Sequence, residues 1–201
     1  MVEITRFVTA SKRLLLVVSK SLAKAKTYLN HLWMVISVDQ FKEFFRHHAA
    51  GVSLVTVFAD DRTPFGFTAS SLASLSADPG LATVNLAKNT STAKVLKVGS
   101  KVAVHTLSAD NFELAAELSG PREKRFTHTG WNLEADAPTN REASAILLGE
   151  VVEILDFAGS QIVVISGDAA TFNQYPDLPL VYFNRQYLQA GELATQTLHK
   201  S

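Results

Sequence analysis

The chain has 201 residues, of which 47% are hydrophobic and 19% charged, a balance that is typical of a globular domain and excludes a disordered chain. It contains no cysteine, which excludes disulfide frameworks, thiolate metal sites and cysteine nucleophiles and favours a reducing compartment, the cytoplasm. The formal net charge is zero, but positions 1–33 hold six basic residues and one acidic residue, so 13 basic and 18 acidic residues remain, a net charge of −5. The negative net charge of the chain after residue 33 argues against nucleic-acid binding, because phosphate contacts need clustered Lys and Arg.

Residues 1–36 are predicted to be a basic N-terminal extension, either helical or disordered. The longest apolar run in it, Leu14–Val18, is far shorter than the roughly 20 residues that a membrane helix needs. No stable membrane insertion is therefore expected. Alternating lysines and apolar residues over Lys12–Leu29 leave open an amphipathic helix that lies on a membrane surface. One domain is predicted over residues 37–190, followed by a C-terminal tail, 191–201.

The domain is predicted to begin with a helix and a strand pair. Ser37–Gln40 has the Ser-x-x-Gln form of a capping box, and three phenylalanines then follow with helical spacing before Gly51, which suits a helix end. Branched residues then predict a strand over Val52–Phe58. Turn chemistry at 59–64 leads into a partner strand, Phe65–Ser71.

The later elements are predicted from the same changes of hydrophobic period. They are a strand over Leu81–Ala87, a helix over Thr90–Val98, a strand over Lys101–Leu107, a helix over Ser108–Leu118, a polar irregular excursion over 121–146, and strands over Leu148–Phe157, Gln161–Phe172 and Leu180–Leu188. Six or seven strands joined by short turns favour an antiparallel barrel over a parallel sheet.

Six sequence motifs follow one another in a fixed order. They are Phe41–Gly51, Val52-x-x-Val55-Thr56, Gly66-Phe67-Thr68-Ala69-Ser70-Ser71, Ser74-Leu75-Ser76-Ala77-Asp78-Pro79, Lys88-Asn89-Thr90-Ser91-Thr92 and Arg125-Phe126. In this order they resemble the flavin reductase-like family of FMN-binding split barrels, over about residues 38–190. The resemblance implies a mainly β fold, an antiparallel Greek-key barrel with short helices, in which FMN, or FAD as an alternative, is the cofactor.

The resemblance also implies which residues bind the flavin. They are Phe67, Thr68, Ala69, Ser70, Ser71, Asn85, Lys88, Asn89, Ser91, Thr92, Arg125 and Phe126. Small and hydroxyl residues at a strand end suit a flat ring that needs close backbone approach and hydrogen-bond donors. Free N–H groups, hydroxyls and a lysine at a helix start suit a phosphate, and the family places the FMN phosphate at the stretch that matches 88–92.

Each assignment has a plainer alternative. Residues 66–71 can simply form a strand end and turn, and Asn89 or Thr90 can simply cap a helix, which is compatible with phosphate binding. Asn85 faces either the flavin or solvent. Arg125 is either near the flavin or nicotinamide, as the resemblance implies, or a surface arginine beside a core phenylalanine.

Two positions depart from the family pattern. Many members have Gly-Asp-His before the sixth strand, and its histidine helps to engage the nicotinamide, whereas this chain has Gly159-Ser160-Gln161. A histidine that often precedes the final tyrosine is Asn184 here, with Tyr187 retained. Neither change affects flavin binding, but both bear on turnover with NADH or NADPH.

The expected function is therefore hydride transfer from NADH or NADPH to flavin, with reduced flavin passing to a monooxygenase partner. A flavin does this chemistry itself, so no acid or base residue of the chain is assigned a catalytic role. The alternative is a flavin-binding module without reductase activity, serving as a carrier, sensor or assembly subunit. The resemblance implies a homodimer. The six histidines predict no metal site, since none has ligands at a suitable spacing.

Overall fold

The computed structural model describes residues 36–173 and 178–190, so the predictions for the basic extension up to residue 35 and for the tail 191–201 fall outside the described residues. The chain divides into two units, residues 1–45 and 46–201. Helix α1, Val38–Arg46, lies almost wholly in the first unit, and none of its nine residues is buried. Its predicted capping box is present, because the Gln40 N–H donates to Ser37 Oγ (3.1 Å) and the Ser37 N–H donates to Gln40 Oε1 (3.0 Å).

The described residues of the second unit form antiparallel strands and one α-helix, α2, which spans Phe112–Ser119. The strands are β1 Ala50–Gly51, β2 Ser53–Phe58, β3 Pro64–Ala69, β4 Ala73–Ala77, β5 Gly80–Ala87, β6 Lys101–Thr106, β7 Trp131–Asn132, β8 Thr139–Asn140, β9 Ala145–Phe157, β10 Ser160–Phe172, β11 Leu180–Phe183 and β12 Gln186–Gln189. Three short 3-10 turns span Thr92–Lys94, Ala109–Asn111 and Arg122–Lys124.

Seven strands form one sheet in the order β3-β2-β6-β9-β10-β5-β4. Val55 and Phe65, near one end of this order, share a buried cluster with Val84 from the other end. The sheet must therefore curl so that its two ends approach across a common core. The prediction of a mainly β fold with an antiparallel barrel is confirmed.

A second core covers the outer face of β2, β6 and β9. Leu54, Ala103 and Ile146 on that face pack with Leu114 and Leu118 of α2. Alternate residues of β2 thus face two different cores, which explains why five of its six residues are buried.

Several elements differ from their predictions. In place of the predicted helix over Thr90–Val98, the structure has only the 3-10 turn Thr92–Lys94. The hydroxyls of Thr90 and Thr92 donate to the carbonyls of Ala87 and Gly66, and these bonds compete with a regular helix. Strands β1, β4, β7 and β8 were not predicted, and Gly51, which was predicted to end a helix, lies in β1, while α1 ends at Arg46. The predicted last strand, Leu180–Leu188, is a hairpin that turns at Asn184–Arg185.

Within the described residues, no helix is long and apolar enough to cross a membrane.

Candidate functional site

Three of the predicted site segments meet at one atom, the carbonyl oxygen of Gly66. The hydroxyl of Thr92 donates to it at 3.1 Å, and Nη1 of Arg125 donates to it at 2.8 Å. Strand β3, the segment 88–92 and the start of the excursion are far apart in sequence, yet they are in direct contact here. The stretch predicted to lie along a flavin ring therefore adjoins the stretch predicted to hold its phosphate.

A side chain at position 66 would collide with helix α2 and with strand β2. A Cβ atom at this position would lie 3.0 Å from Leu118 Cδ1 and 3.0 Å from Thr56 Cγ2. The glycine thus lets the helix pack closely on strand β3. Close backbone approach at this residue serves the second core, which differs from the sequence interpretation that it serves a flat ring.

The middle of the motif is also occupied by packing. The Thr68 hydroxyl donates to the Ala115 carbonyl of α2 at 2.7 Å. Phe67 and Ala69 face the barrel core. Of the six motif residues, Ser70 is exposed, Phe67, Thr68 and Ser71 are half-buried, and Gly66 and Ala69 are buried. A ligand would therefore meet this motif chiefly at its serine end.

Ser71 joins the end of β3 to strand β5. Its Oγ accepts the Asn85 N–H at 2.9 Å and donates to the Asn85 carbonyl at 3.3 Å. The Asn85 side chain points to the exposed outer face, because Val84 and Leu86 on either side of it are buried at 1% and 4% exposure. Ser70, Ser71 and Asn85 thus form one polar edge of the barrel.

The segment 88–92 forms consecutive turns rather than a helix start. Within the described part of the chain, the backbone N–H groups of Asn89, Ser91 and Thr92 donate to no protein acceptor. Unpaired N–H groups in turns are anion-binding features, so this segment fits a phosphate without a helix dipole. Lys88 Nζ lies 2.9 Å from Asp156 Oδ1, so a phosphate would share this lysine with a carboxylate.

Arg125 is a half-buried anchor rather than a surface arginine. Besides Gly66, it donates through Nε and Nη2 to the Gly120 carbonyl at 3.1 and 2.9 Å. Burial lowers the pKa of its guanidinium, and neighbouring Arg122 lowers it further. Phe126 next to it has a φ of 62°, an unusual backbone for an aromatic residue, and its ring centre lies 4.8 Å from that of Trp131.

Glu117 of α2 is a positioning residue that sequence reasoning missed. Its Oε1 accepts the backbone N–H groups of Thr127 and His128 and the Thr127 hydroxyl, and its Oε2 accepts the Trp131 indole N–H at 3.1 Å. One carboxylate therefore holds the chain that follows Arg125 and Phe126. The only sequence signal is its place beside Leu118, at the margin of the buried helix face.

The imidazole of His128 lies between two further carboxylates. Nε2 is 3.5 Å from Glu113 and Nδ1 is 3.6 Å from Glu142. A hydrogen bond with the Thr129 carbonyl is the main cause that raises the pKa of His128, and Glu142 and Glu113 raise it further. Protonation of this histidine therefore favours the observed conformation of the excursion.

The two departures from the family pattern lie at hairpin turns, with Ser160 and Gln161 starting strand β10 directly after one of them. In the β9–β10 turn the Gly159 carbonyl accepts the Lys88 N–H at 3.0 Å, and Gln161 Nε2 lies 3.4 Å from Asp156 Oδ1. Gln161 thus adjoins the predicted phosphate segment. Asn184 and Arg185 have φ values of 46° and 63°, as a two-residue type I′ hairpin requires, so Asn184 has a backbone reason to be asparagine.

His105, a histidine in the core, is not placed to bind a metal ion. His105 is 0% exposed, and its Nε2 accepts the Asn140 N–H at 3.1 Å. Burial lowers its pKa to about 4, so it is neutral at physiological pH. Across residues 36–173 and 178–190, no three His, Asp or Glu side chains are placed to hold a metal ion.

Comparison with known proteins gives one consistent family. A family model described as "Flavin reductase like domain" matches residues 45–191. A solved structure of a flavin reductase domain protein from an Arthrobacter species has a TM-score of 0.72 and 33% identity, and the match covers 79% of this chain and 99% of that one.

Two curated proteins extend the comparison. The reductase component of a flavin-dependent trigonelline monooxygenase from Acinetobacter baylyi is 28% identical over 165 residues, 82% of this chain and 53% of that protein. An NADH:FMN oxidoreductase from Rhodococcus erythropolis is 34% identical over 92 residues, 45% of this chain and 47% of that protein. The chain thus spans about half the length of these curated relatives.

Proposed function

The chain belongs to the flavin reductase-like family, and on that premise we propose that it binds a flavin and reduces it with hydride from NADH or NADPH. The observation that carries the proposal is the meeting of strand β3, the segment 88–92 and Arg125 at the Gly66 carbonyl. It holds strand β3, whose exposed polar end is Ser70–Ser71, against the turn with unpaired N–H groups, as a ring and its phosphate require.

The groups that fit the flavin are of two kinds. For the phosphate they are the N–H groups of Asn89, Ser91 and Thr92, the hydroxyl of Ser91 and the ammonium of Lys88. For the ring they are the exposed polar edge of Ser70, Ser71 and Asn85. The side chains of Thr68 and Thr92 and the guanidinium of Arg125 hold the backbone beneath these groups.

The redox chemistry is supplied by the bound flavin, which accepts hydride from the nicotinamide. The chain contributes binding and orientation, and no proton donor among its side chains is needed for the transfer. FMN is the proposed flavin, with FAD as the alternative, and the name of the Rhodococcus relative supports FMN and NADH.

Reduced flavin is proposed to pass to a monooxygenase in the cytoplasm. The name of the Acinetobacter relative, a monooxygenase reductase component, supports this partner. The chain is also proposed to work as a homodimer, and an exposed apolar cavity lined by strands β4, β5, β9 and β10 supports that assembly.

The test begins with purified full-length protein and both flavins. FMN is expected to bind at micromolar concentration, measured by quenching of flavin fluorescence. Under anaerobic conditions NADH or NADPH is then expected to bleach the visible absorbance of the flavin. Failure to bind either flavin would contradict the whole proposal.

A second candidate is a flavin-binding module without reductase activity. Gln161 in place of the family histidine favours it, since this side chain lies 3.4 Å from Asp156, the carboxylate that pairs with Lys88. Flavin that binds but is bleached by neither nicotinamide would establish this alternative. A Gln161→His variant that gained turnover would locate the cause.

A further inference from the structure

The ends of strands β5, β9 and β10 bring three polar side chains together beside the proposed phosphate segment. Gln161 of β10 is paired with Asp156 of β9 and with Leu86 of β5, so the side chains of these three residues lie on one face of the sheet. Lys88 follows Leu86 by two positions, and its N–H donates to the Gly159 carbonyl of the β9–β10 turn at 3.0 Å. The ammonium of Lys88 therefore reaches the face that carries Asp156 and Gln161.

One carboxylate oxygen, Oδ1 of Asp156, contacts both of its polar neighbours. Lys88 Nζ lies 2.9 Å from it, and Gln161 Nε2 lies 3.4 Å from it. The bond from Lys88 is the main cause that lowers the pKa of Asp156, and the bond from Gln161 lowers it further, so this carboxylate is ionised at neutral pH. The ammonium that a flavin phosphate would use is thus already paired with a negative charge.

Asp156 is held only weakly in this position. The ion pair is open to solvent, since 35% of the Lys88 side chain and 64% of the Asp156 side chain are exposed, and exposed pairs contribute little to stability. The hydrogen bond from Gln161 is long. Within the residues that the structure describes, Gln161 Oε1 is buried and accepts no hydrogen bond, so the amide gains little by keeping this orientation. A phosphate can therefore displace Asp156 from Lys88.

A flavin phosphate would bring more charge to this lysine than Asp156 does. A phosphate monoester carries a charge of about −2 at neutral pH. It can also accept from the unpaired N–H groups of Asn89, Ser91 and Thr92, which the carboxylate does not. Phosphate binding must nevertheless either separate Asp156 from Lys88 or leave the carboxylate beside the phosphate as a like charge. Both outcomes lower the affinity.

We propose that Asp156 sets the affinity of the site for phosphate-bearing flavins by competing with the phosphate for Lys88. Gln161 is a positioning residue that holds the carboxylate on this lysine before the phosphate binds. The inference rests on the proposed function, since it requires a flavin phosphate at the segment 88–92. Its consequence is a flavin held less tightly than the N–H groups and the lysine allow, which suits a reduced flavin that leaves for a partner.

The first test compares flavins with and without a phosphate. Kd values for FMN, FAD and riboflavin are measured by fluorescence quenching for the natural sequence, Asp156→Asn and Asp156→Glu. Asp156→Asn removes the charge but keeps the shape, so it is expected to lower the Kd for FMN and FAD roughly threefold to fivefold and to leave riboflavin within about twofold. Asp156→Glu keeps the charge and is expected to stay within about twofold of the natural sequence for all three flavins.

Glu153→Gln is the matched control for Asp156→Asn. Glu153 is an exposed residue of the same strand, three positions before Asp156 and therefore on the opposite face. The control substitution removes the same charge and is expected to leave all three Kd values within about twofold. If it strengthens FMN binding as much as Asp156→Asn does, net charge explains the effect and the inference is overturned.

A second test asks whether Asp156 acts through Lys88. Lys88→Met removes the charge of the lysine and keeps most of its length. In this background Asp156→Asn is expected to change the Kd for FMN by less than about twofold. An undiminished effect would mean that the carboxylate acts on the phosphate by its field alone, and would overturn the competition for Lys88.

Two further results separate this inference from the proposed function. If the natural chain binds flavin but Asp156→Asn changes no Kd, or changes FMN and riboflavin equally, the inference is wrong and the proposed function stands. If the natural chain binds none of the three flavins, the proposed function is contradicted and the inference is overturned with it.

Discussion

His105 is a buried histidine whose protonation opposes folding. It is 0% exposed in β6, its Nε2 already accepts the Asn140 N–H, and the Trp131 ring lies edge-on with ring centres 5.8 Å apart. Burial lowers its pKa from 6.5 to about 4 in the folded chain. Between these values the unfolded chain binds more protons than the folded chain, so the free energy of unfolding falls as the pH falls.

The expected loss from this residue is about 3 kcal/mol between pH 6.5 and pH 4, since one pKa unit corresponds to about 1.4 kcal/mol. Urea unfolding across this range measures the slope for the natural sequence and for His105→Gln. The variant is expected to be less stable near neutral pH but to lack this part of the slope. His128 has a raised pKa and contributes a slope of opposite sign. Because this contribution is the same in both proteins, subtracting the His105→Gln slope removes it. Equal slopes in the two proteins would refute the assignment.

Thr92 links the phosphate segment to strand β3 through one hydroxyl. The residue is 0% exposed, and its Oγ1 donates to the Gly66 carbonyl at 3.1 Å. Thr92→Val keeps the shape and removes this donor, so we expect a loss of about 1 kcal/mol in the free energy of unfolding. Since the Asn89–Ser91 turn is then less fixed, FMN affinity is expected to fall roughly threefold to tenfold.

The matched control for Thr92→Val is Thr129→Val, on the far side of the excursion. Its hydroxyl also makes one bond, to Glu142 Oε1 at 3.2 Å, but the residue is exposed and away from the Gly66 contact. If Thr129→Val lowers FMN affinity as much as Thr92→Val, the proposed coupling between Gly66 and the phosphate segment is wrong.

At the scale of elements, local pattern predicted the strands better than the helix over Thr90–Val98. The β9–β10 hairpin follows from alternating branched residues around Ala158-Gly159, and its two 13-residue strands lie close to the predicted limits. The predicted helix fails because Thr92 bonds across the chain to Gly66, a contact of 26 positions' separation that no local window contains. Arg125 also bonds to the Gly66 carbonyl of β3, across 59 positions, so no local pattern in the sequence indicates this contact either.

Glu117 shows how one element fixes another. Four donors from Thr127, His128 and Trp131 converge on its carboxylate, and α2 in turn is bonded to β3 through Thr68. Glu117→Ala leaves these donors without their acceptor, so we expect a loss of about 1–3 kcal/mol in the free energy of unfolding. Because Arg125 and Phe126 precede these donors directly, flavin affinity is expected to fall as well.

The measurements are urea unfolding, flavin quenching and tryptophan emission in a Trp33→Phe background, which reports Trp131, whose indole loses its acceptor. Glu113→Ala is the control, since it removes a carboxylate of the same helix that is 79% exposed and contacts only the edge of His128. Glu117→Gln is expected to recover part of the loss, because its amide oxygen still accepts the backbone N–H groups. Equal effects of Glu117→Ala and Glu113→Ala would mean that charge on α2, and not this network, matters.

For the molecule as a whole, one open and mainly apolar feature on the barrel is a cavity of about 560 Å³. Strands β4, β5, β9 and β10 line it, and Phe172 at its margin is 80% exposed. An apolar surface of this kind is costly in water unless a partner covers it. A second copy of the chain is the proposed partner, so the cavity is expected to lie in a homodimer interface.

Phe172→Glu tests this assembly, because a carboxylate at a buried interface loses hydration without gaining a partner. The natural chain is expected to be dimeric at micromolar concentration by light scattering after size-exclusion chromatography. The substitution is expected to raise the dimer dissociation constant roughly tenfold or more, since large aromatic side chains contribute most to interface energy.

Val98→Glu is the control. It places the same charge on an apolar residue that is 61% exposed and outside the cavity, and should leave the dimer intact. A natural chain that is monomeric, or two variants that dissociate equally, would exclude this surface as the interface. If Phe172→Glu alone is monomeric, its flavin affinity reports whether the site needs residues from both copies.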